Sequence, residues 1–108
     1  MRDEASVVHR LTAELGLTRA EAETYLRAIK DGGIGREEGA SGSLHARGML
    51  IEAADEKVYL PVHPRLAISN LFRSFPDRTS PEMKAKRRMA DKLTLELIAA
   101  FEARRTRE

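Results

Sequence analysis

Residues 15–29 read LGLTRAEAETYLRAI, and this stretch sets how the first two helices of the chain meet. Gly16 is a stop, because glycine tolerates the left-handed backbone that closes a helix. Thr18 follows, with Glu21 three positions on. That spacing is a capping box: the Thr18 hydroxyl accepts from a backbone N–H of the first turn, and the Glu21 carboxylate reaches back to the Thr18 N–H. Ala22, Tyr25, Leu26 and Ile29 then recur at helical spacing and form one apolar face.

Working outward, residues 4–15 make a preceding helix with Val8, Leu11 and Leu15 on one face and Val7 beside them. The second helix runs from Thr18 or Arg19 to about Lys30 and ends at Gly32 and Gly33. Residues 31–43, DGGIGREEGASGS, carry five glycines and few apolar side chains, which predicts a loop or a frayed turn. Leu44 to Gly48 reads as the last turn of a short helix stopped by Gly48. Met49–Ala53 and Lys57–Val62 are two strands around a turn at residues 54–56. Val58, Leu60 and Val62 share one face and Tyr59 points the other way, while Pro61 implies an edge strand or a strand end.

His63-Pro64 opens another helix, with Ile68, Leu71, Phe72 and Phe75 as its stripe. Residues 76–80 connect it to a last helix capped by Thr79 or Ser80 and running to about Arg104. In that helix Ala90, Leu93, Leu97 and Ala100 alternate at spacings of three and four, flanked by Met89, Ile98 and Phe101. Such a seam pairs two chains or packs on its own domain.

The 108 residues suit one domain with a modest core. Without cysteine there are no disulfides and no Cys-based metal sites, which fits an intracellular protein. No apolar run approaches the ~20 residues of a membrane span. The start, MRDEASVVHR, lacks the apolar core of a signal peptide. The expectation is a soluble cytoplasmic protein with no membrane partner.

Net charge is only +2, but it is unevenly spread. Residues 1–62 hold 8 Lys/Arg against 11 Asp/Glu, and residues 63–108 hold 11 against 6. The excess concentrates in Lys84, Lys86, Arg87 and Arg88, with Lys92 one turn beyond. A basic cluster of this kind contacts phosphates or is simply the solvated face of a helix.

Catalytic and cofactor patterns are missing. His9, His45 and His63 are far apart and lack metal-ligand spacing, and His63 before Pro64 reads as a cap or turn residue. Gly33 to Gly39 is GxGxxxG, one residue off the dinucleotide fingerprint and with no strand before it. Gly39 to Ser43 resembles a nucleophile elbow only superficially, its second glycine being one place early. Neither a cofactor nor an enzyme activity is expected.

Two blocks of this sequence resemble the TrmB-like family of archaeal transcription regulators. LGLTRAEAETYLRAIKDGG, residues 15–33, is similar to the family's first block, a capped helix ahead of the helix-turn-helix. LHARGMLIEAADEKVYLPVHPRLAISNLF, residues 44–72, is similar to the second, in which the recognition helix ends at a glycine and leads into two wing strands. On this resemblance Gly48 closes the recognition helix, Asp55-Glu56 is the wing tip, and Tyr59 and Pro64 take the family's usual places. Between the blocks, family members carry the first helix of the helix-turn-helix, its turn and most of the recognition helix. Here only Ile34 to Ser43 remain, with glycine at 35, 39 and 42. Ten such residues cannot supply two helices, one of which must offer several side chains to base edges.

The expected architecture is therefore mainly α with a small β-hairpin. It is a degenerate winged-helix-like domain over residues 1–78, followed by a long C-terminal dimerisation helix over 79–108. The expected function is a small, dimeric, DNA-associated transcriptional regulator. Arg47, Lys57, Lys84, Lys86, Arg87 and Arg88 would contact nucleic acid. Met89, Ala90, Leu93, Leu97, Ala100 and Phe101 would form the homodimer interface. The alternative is a protein-interaction or dimerisation module, with a protein partner, that has lost sequence-specific DNA binding.

Overall fold

A computed structural model describes residues 4–73 and 81–106, with side chains to Ala103. Phe75, the connector at 76–80, the Thr79 or Ser80 cap and the boundary at 78/79 lie outside these residues. The elements are α1 (Glu4–Leu15), α2 (Arg19–Asp31), β1 (Ile34–Gly35), α3 (Ser41–Ala46), β2 (Leu50–Glu52), β3 (Val58–Pro61), α4 (Pro64–Arg73) and α5 (Pro81–Thr106). The fold is mainly helical with one small antiparallel sheet, an α+β arrangement.

Each long helix forms where the apolar spacing predicts it. Val7, Leu11 and Leu15 of α1 are buried, one per turn. In α2, Ala22, Tyr25, Leu26 and Ile29 are buried, and the capping box is formed in both directions. Burial pushes the Tyr25 phenol well above its ordinary range, so its hydroxyl stays a donor to the Val62 carbonyl at 2.9 Å. His63 caps α4, its Nδ1 accepting from the Arg65 N–H at 3.2 Å. Pro64, Ala67, Ile68, Leu71 and Phe72 turn inward from α4. α5 lays its buried row against α1, α2 and α4.

The segment 31–43 departs from the predicted loop. Ile34 and Gly35 form β1, paired antiparallel with Tyr59 and Val58, and α3 begins at Ser41. A two-residue strand has no periodicity to detect; its partner across the sheet defines it. The Arg36 side chain holds this corner. Its Nε donates to the Val58 carbonyl at 3.1 Å and its guanidinium lies 5.0 Å from the Tyr59 ring centre.

The strand order β1-β3-β2 makes β3 the central strand, so the edge reading of Pro61 is corrected and the strand-end reading holds. Pro61 is the last residue of β3, past the end of β1, where no ladder needs its missing N–H. The alternation along β3 does not carry through in burial, because Val62, past the strand end, is buried while Leu60 is exposed. Leu60 is exposed opposite Ile51, and Tyr59 packs toward the core.

Gly39 shows why this glycine-rich loop is ordered. Its φ is +50°, and a Cβ there would lie 2.5 Å from the Oγ1 of buried Thr24, which accepts from the Ala40 N–H. Gly39→Ala is expected to cost about 1–3 kcal/mol in urea unfolding, from left-handed strain plus the clash. Gly42→Ala meets nothing within 4 Å in helical backbone and should stabilise by about 0.5–1 kcal/mol. Equal effects at the two positions would show that the loop is not docked on α2.

Candidate nucleic-acid interface

α3 lies between β1 and the hairpin in chain order, where the sequence resemblance leads one to expect the end of a recognition helix. It is six residues long, and its exposed positions are Gly42, Ser43 and Ala46. None carries a side chain long enough to reach a base edge with two hydrogen bonds. The helix closes in a Schellman arrangement around Gly48, whose φ is +81°. The Gly48 N–H donates to His45 and the Met49 N–H to Leu44, at 3.1 and 2.9 Å. Asn70 of α4 then donates to the Gly48 carbonyl at 2.7 Å, which fastens the turn to the core.

A buried carboxylate pins α3 from the other side. Glu21 is 3% exposed. Its Oε1 accepts from the Thr18 N–H at 2.9 Å, and its Oε2 accepts from the Ser43 hydroxyl and from Arg47 Nε, the latter at 2.8 Å. Burial by itself raises the Glu21 pKa. The donors from Ser43, Thr18 and Arg47 outweigh it and hold the carboxyl below its ordinary value. Sequence reading found only the local half of this role, because Ser43 and Arg47 lie 22 and 26 positions away.

The nucleic-acid candidates accordingly divide. Arg47 spends its Nε on the buried Glu21 carboxylate, and its side chain is about one-third exposed, so its charge is largely compensated inside the chain. Lys57 sits exposed at the hairpin turn, but directly after Asp55 and Glu56. Arg87 lies with its guanidinium 5.0 Å from the Phe72 ring centre, and Lys86 is engaged within the chain. Lys84 and Arg88 project from the first turns of α5, where every residue from 81 to 89 except Met83 is exposed. Lys92, one turn further, is exposed as well. Among the described residues none of Lys84, Arg88 and Lys92 is paired with a carboxylate.

The cations of α2 behave differently. A groove of about 1090 Å³ between α1 and α2 is lined by Arg19, Arg27 and Lys30. Each has its own acid: Glu23 at 3.5 Å, Glu38 at 3.9 Å and Glu4 at 2.8 Å. That groove offers little net positive field.

The dimer-interface candidates are corrected. Ala90, Leu93 and Leu97 are fully buried within the single chain, Ala100 nearly so, and Phe101 packs half-buried against the same core. Only Met89 is exposed. The seam is an intrachain one, because α1, α2 and α4 already cover it. Two histidines are likewise used internally, His45 stacked on Tyr59 at 4.6 Å and His63 edge-on to Phe101 at 5.2 Å.

Among the described residues, no helix is long and apolar enough to cross a membrane. Compared with known protein families, curated proteins and solved structures, the chain has no match in any of the three.

Proposed function

We propose that this chain is a small DNA-associated protein of winged-helix type that binds duplex phosphates through α5 and does not read base edges. The carrying observation is the pairing of a short α3, whose exposed positions are Gly42, Ser43 and Ala46, with an α5 on which Lys84, Arg88 and Lys92 are exposed and, among the described residues, not paired with a carboxylate. The winged-helix reading is supported by the order α2, β1, α3, β2, β3 and by the sheet order β1-β3-β2. Phosphate contacts supply affinity and register but no sequence information.

Gel shifts at low salt test this. Duplexes of unrelated sequence should bind with affinities within about tenfold of one another, since even one bidentate base contact separates sequences by ~1–3 kcal/mol. Binding should weaken steeply with salt. No shift at low salt, or a strong preference for one sequence, overturns the proposal.

A second reading, a protein-interaction module without DNA binding, is favoured by one observation. Ile51 and Leu60 face each other across β2 and β3 on the outer sheet surface and are both exposed. It expects a mass above that of one chain in light scattering at high concentration, reduced by Ile51→Glu. A monomer at every concentration that recovers no partner from cell extract counts against it.

A further inference from the structure

The basic residues of α5 are not equivalent once the helix has been placed on the core. Ala90, Leu93, Leu97 and Ala100 define its buried side. Lys84, Arg88 and Lys92 recur at intervals of four, so they lie above one another along the helix. At ~100° per residue this row points away from the buried side. Leu95, three residues beyond Lys92 and exposed, ends it on the same face, and Asp91 stands on its flank. Lys86 and Arg87 point to other sides of the helix, and both already have contacts inside the chain.

We infer that Lys84, Arg88 and Lys92 form a single phosphate-tracking stripe, with α5 lying along one strand of a duplex from outside rather than entering a groove. The inference rests on the DNA-associated reading above and names the residues and the docking mode within it. Four residues of α-helix advance ~6 Å, so the stripe is ~12 Å long. One DNA strand rises ~3.4 Å of axis per charge while its backbone winds around that axis, so a stripe following the strand runs beside about three phosphates. The charge complementarity is direct: three cations without carboxylate partners meet a line of anions. A helix inside the major groove would instead need cations on two flanks to meet both backbones and polar side chains between them for the bases. The stripe ends in Leu95 and offers neither.

The test measures the salt dependence of binding to one labelled duplex and to its single strand. Lys84→Gln/Arg88→Gln/Lys92→Gln should reduce the steepness of log K against log salt on duplex by about 2.7, three contacts at ~0.9 each. Arg88→Gln alone should reduce it by about 0.9. Lys86→Gln/Arg87→Gln should change it by less than one contact. All these side chains are exposed, and circular dichroism should show unchanged helix content. A double variant that loses as much per residue as the triple overturns the stripe while leaving DNA association standing. Tighter binding to the single strand, or binding to anionic vesicles but not to duplex, overturns the duplex assignment. Absence of any binding by the unaltered chain removes the function proposed above together with the stripe.

Discussion

Leu93→Ala is expected to lower the unfolding free energy by about 2–5 kcal/mol without changing the mass of the protein in solution. Leu93 is fully buried in the middle of α5, in line with Ala90 and Leu97. It belongs to the one core shared by α1, α2, α4 and α5. Truncation to alanine removes buried methyl groups and leaves a cavity that flanking helices fill only in part. A domain of this size has about 5–15 kcal/mol in total, so the loss is a large fraction of it. The melting temperature should fall by roughly 10–20 °C. Leu93→Asp, which would bury an unpaired charge, should not fold at all. Calorimetry and light scattering on Leu93→Ala separate the two roles of the seam. A change of mass with an unchanged melting temperature would mean that Leu93 faces another chain.

The second large effect is expected at Glu21. Glu21→Ala strands three donors at once: the Thr18 N–H, the Ser43 hydroxyl and the Arg47 guanidinium. The Arg47 side chain is about one-third exposed, so its charge returns to water. The loss is about 1–3 kcal/mol, from the part-buried donors left without an acceptor. The loss should localise. Amide exchange in α3 should accelerate more than exchange in α4 and α5, since Glu21 ties α2 directly to α3, while Thr24 and the longer Arg27–Glu38 pair hold only the preceding loop.

Glu21 also sets an acid limit. Its folded-state pKa lies below the ordinary carboxylate value. The unfolded chain therefore takes up the proton first as pH falls. The stabilisation is fully present above the ordinary carboxylate range, around pH 4.3, and is lost as pH drops from there through the lowered folded value. The stability advantage of the unaltered chain over Glu21→Gln should be large near neutrality and shrink in strong acid. Urea titrations of both proteins from pH 7 to about pH 2 measure it. An advantage that does not change with pH would show that the carboxylate is not held ionised by Ser43 and Arg47.

Much of the fold is legible because its signals are local. The capping box needs only Thr18 and Glu21, three residues apart. The stop at Gly16, the burial of Val7, Leu11 and Leu15, and the proline start of α4 are each contained within one or two turns. The hairpin is legible from alternation alone, but alternation does not say which face turns inward, and Leu60 proves to be outside.

The candidate site is less legible. A row of basic residues in sequence spreads around all sides of a helix, and only the buried row of α5 singles out Lys84, Arg88 and Lys92 as the outward stripe. Arg47 stands in a plausible place for a phosphate contact until Glu21, 26 positions away, is seen to claim it.

Local sequence alone specifies the helices α1, α2, α4 and α5, the caps of α2 and α4, the hairpin, and the shortage of reading residues between Ile34 and Ser43. These follow from spacing, capping chemistry and glycine content, all properties of neighbouring residues. The tertiary structure decided that Ile34–Gly35 is a strand, that Ser41–Ala46 is a helix, that the α5 seam is covered by its own chain, and that Glu21 holds α3 as well as capping α2. The reason is physical. A two-residue strand, a glycine-bearing six-residue helix and a part-buried ion pair have little stability alone. They exist because partners 16 to 26 positions away supply the hydrogen bonds and the burial.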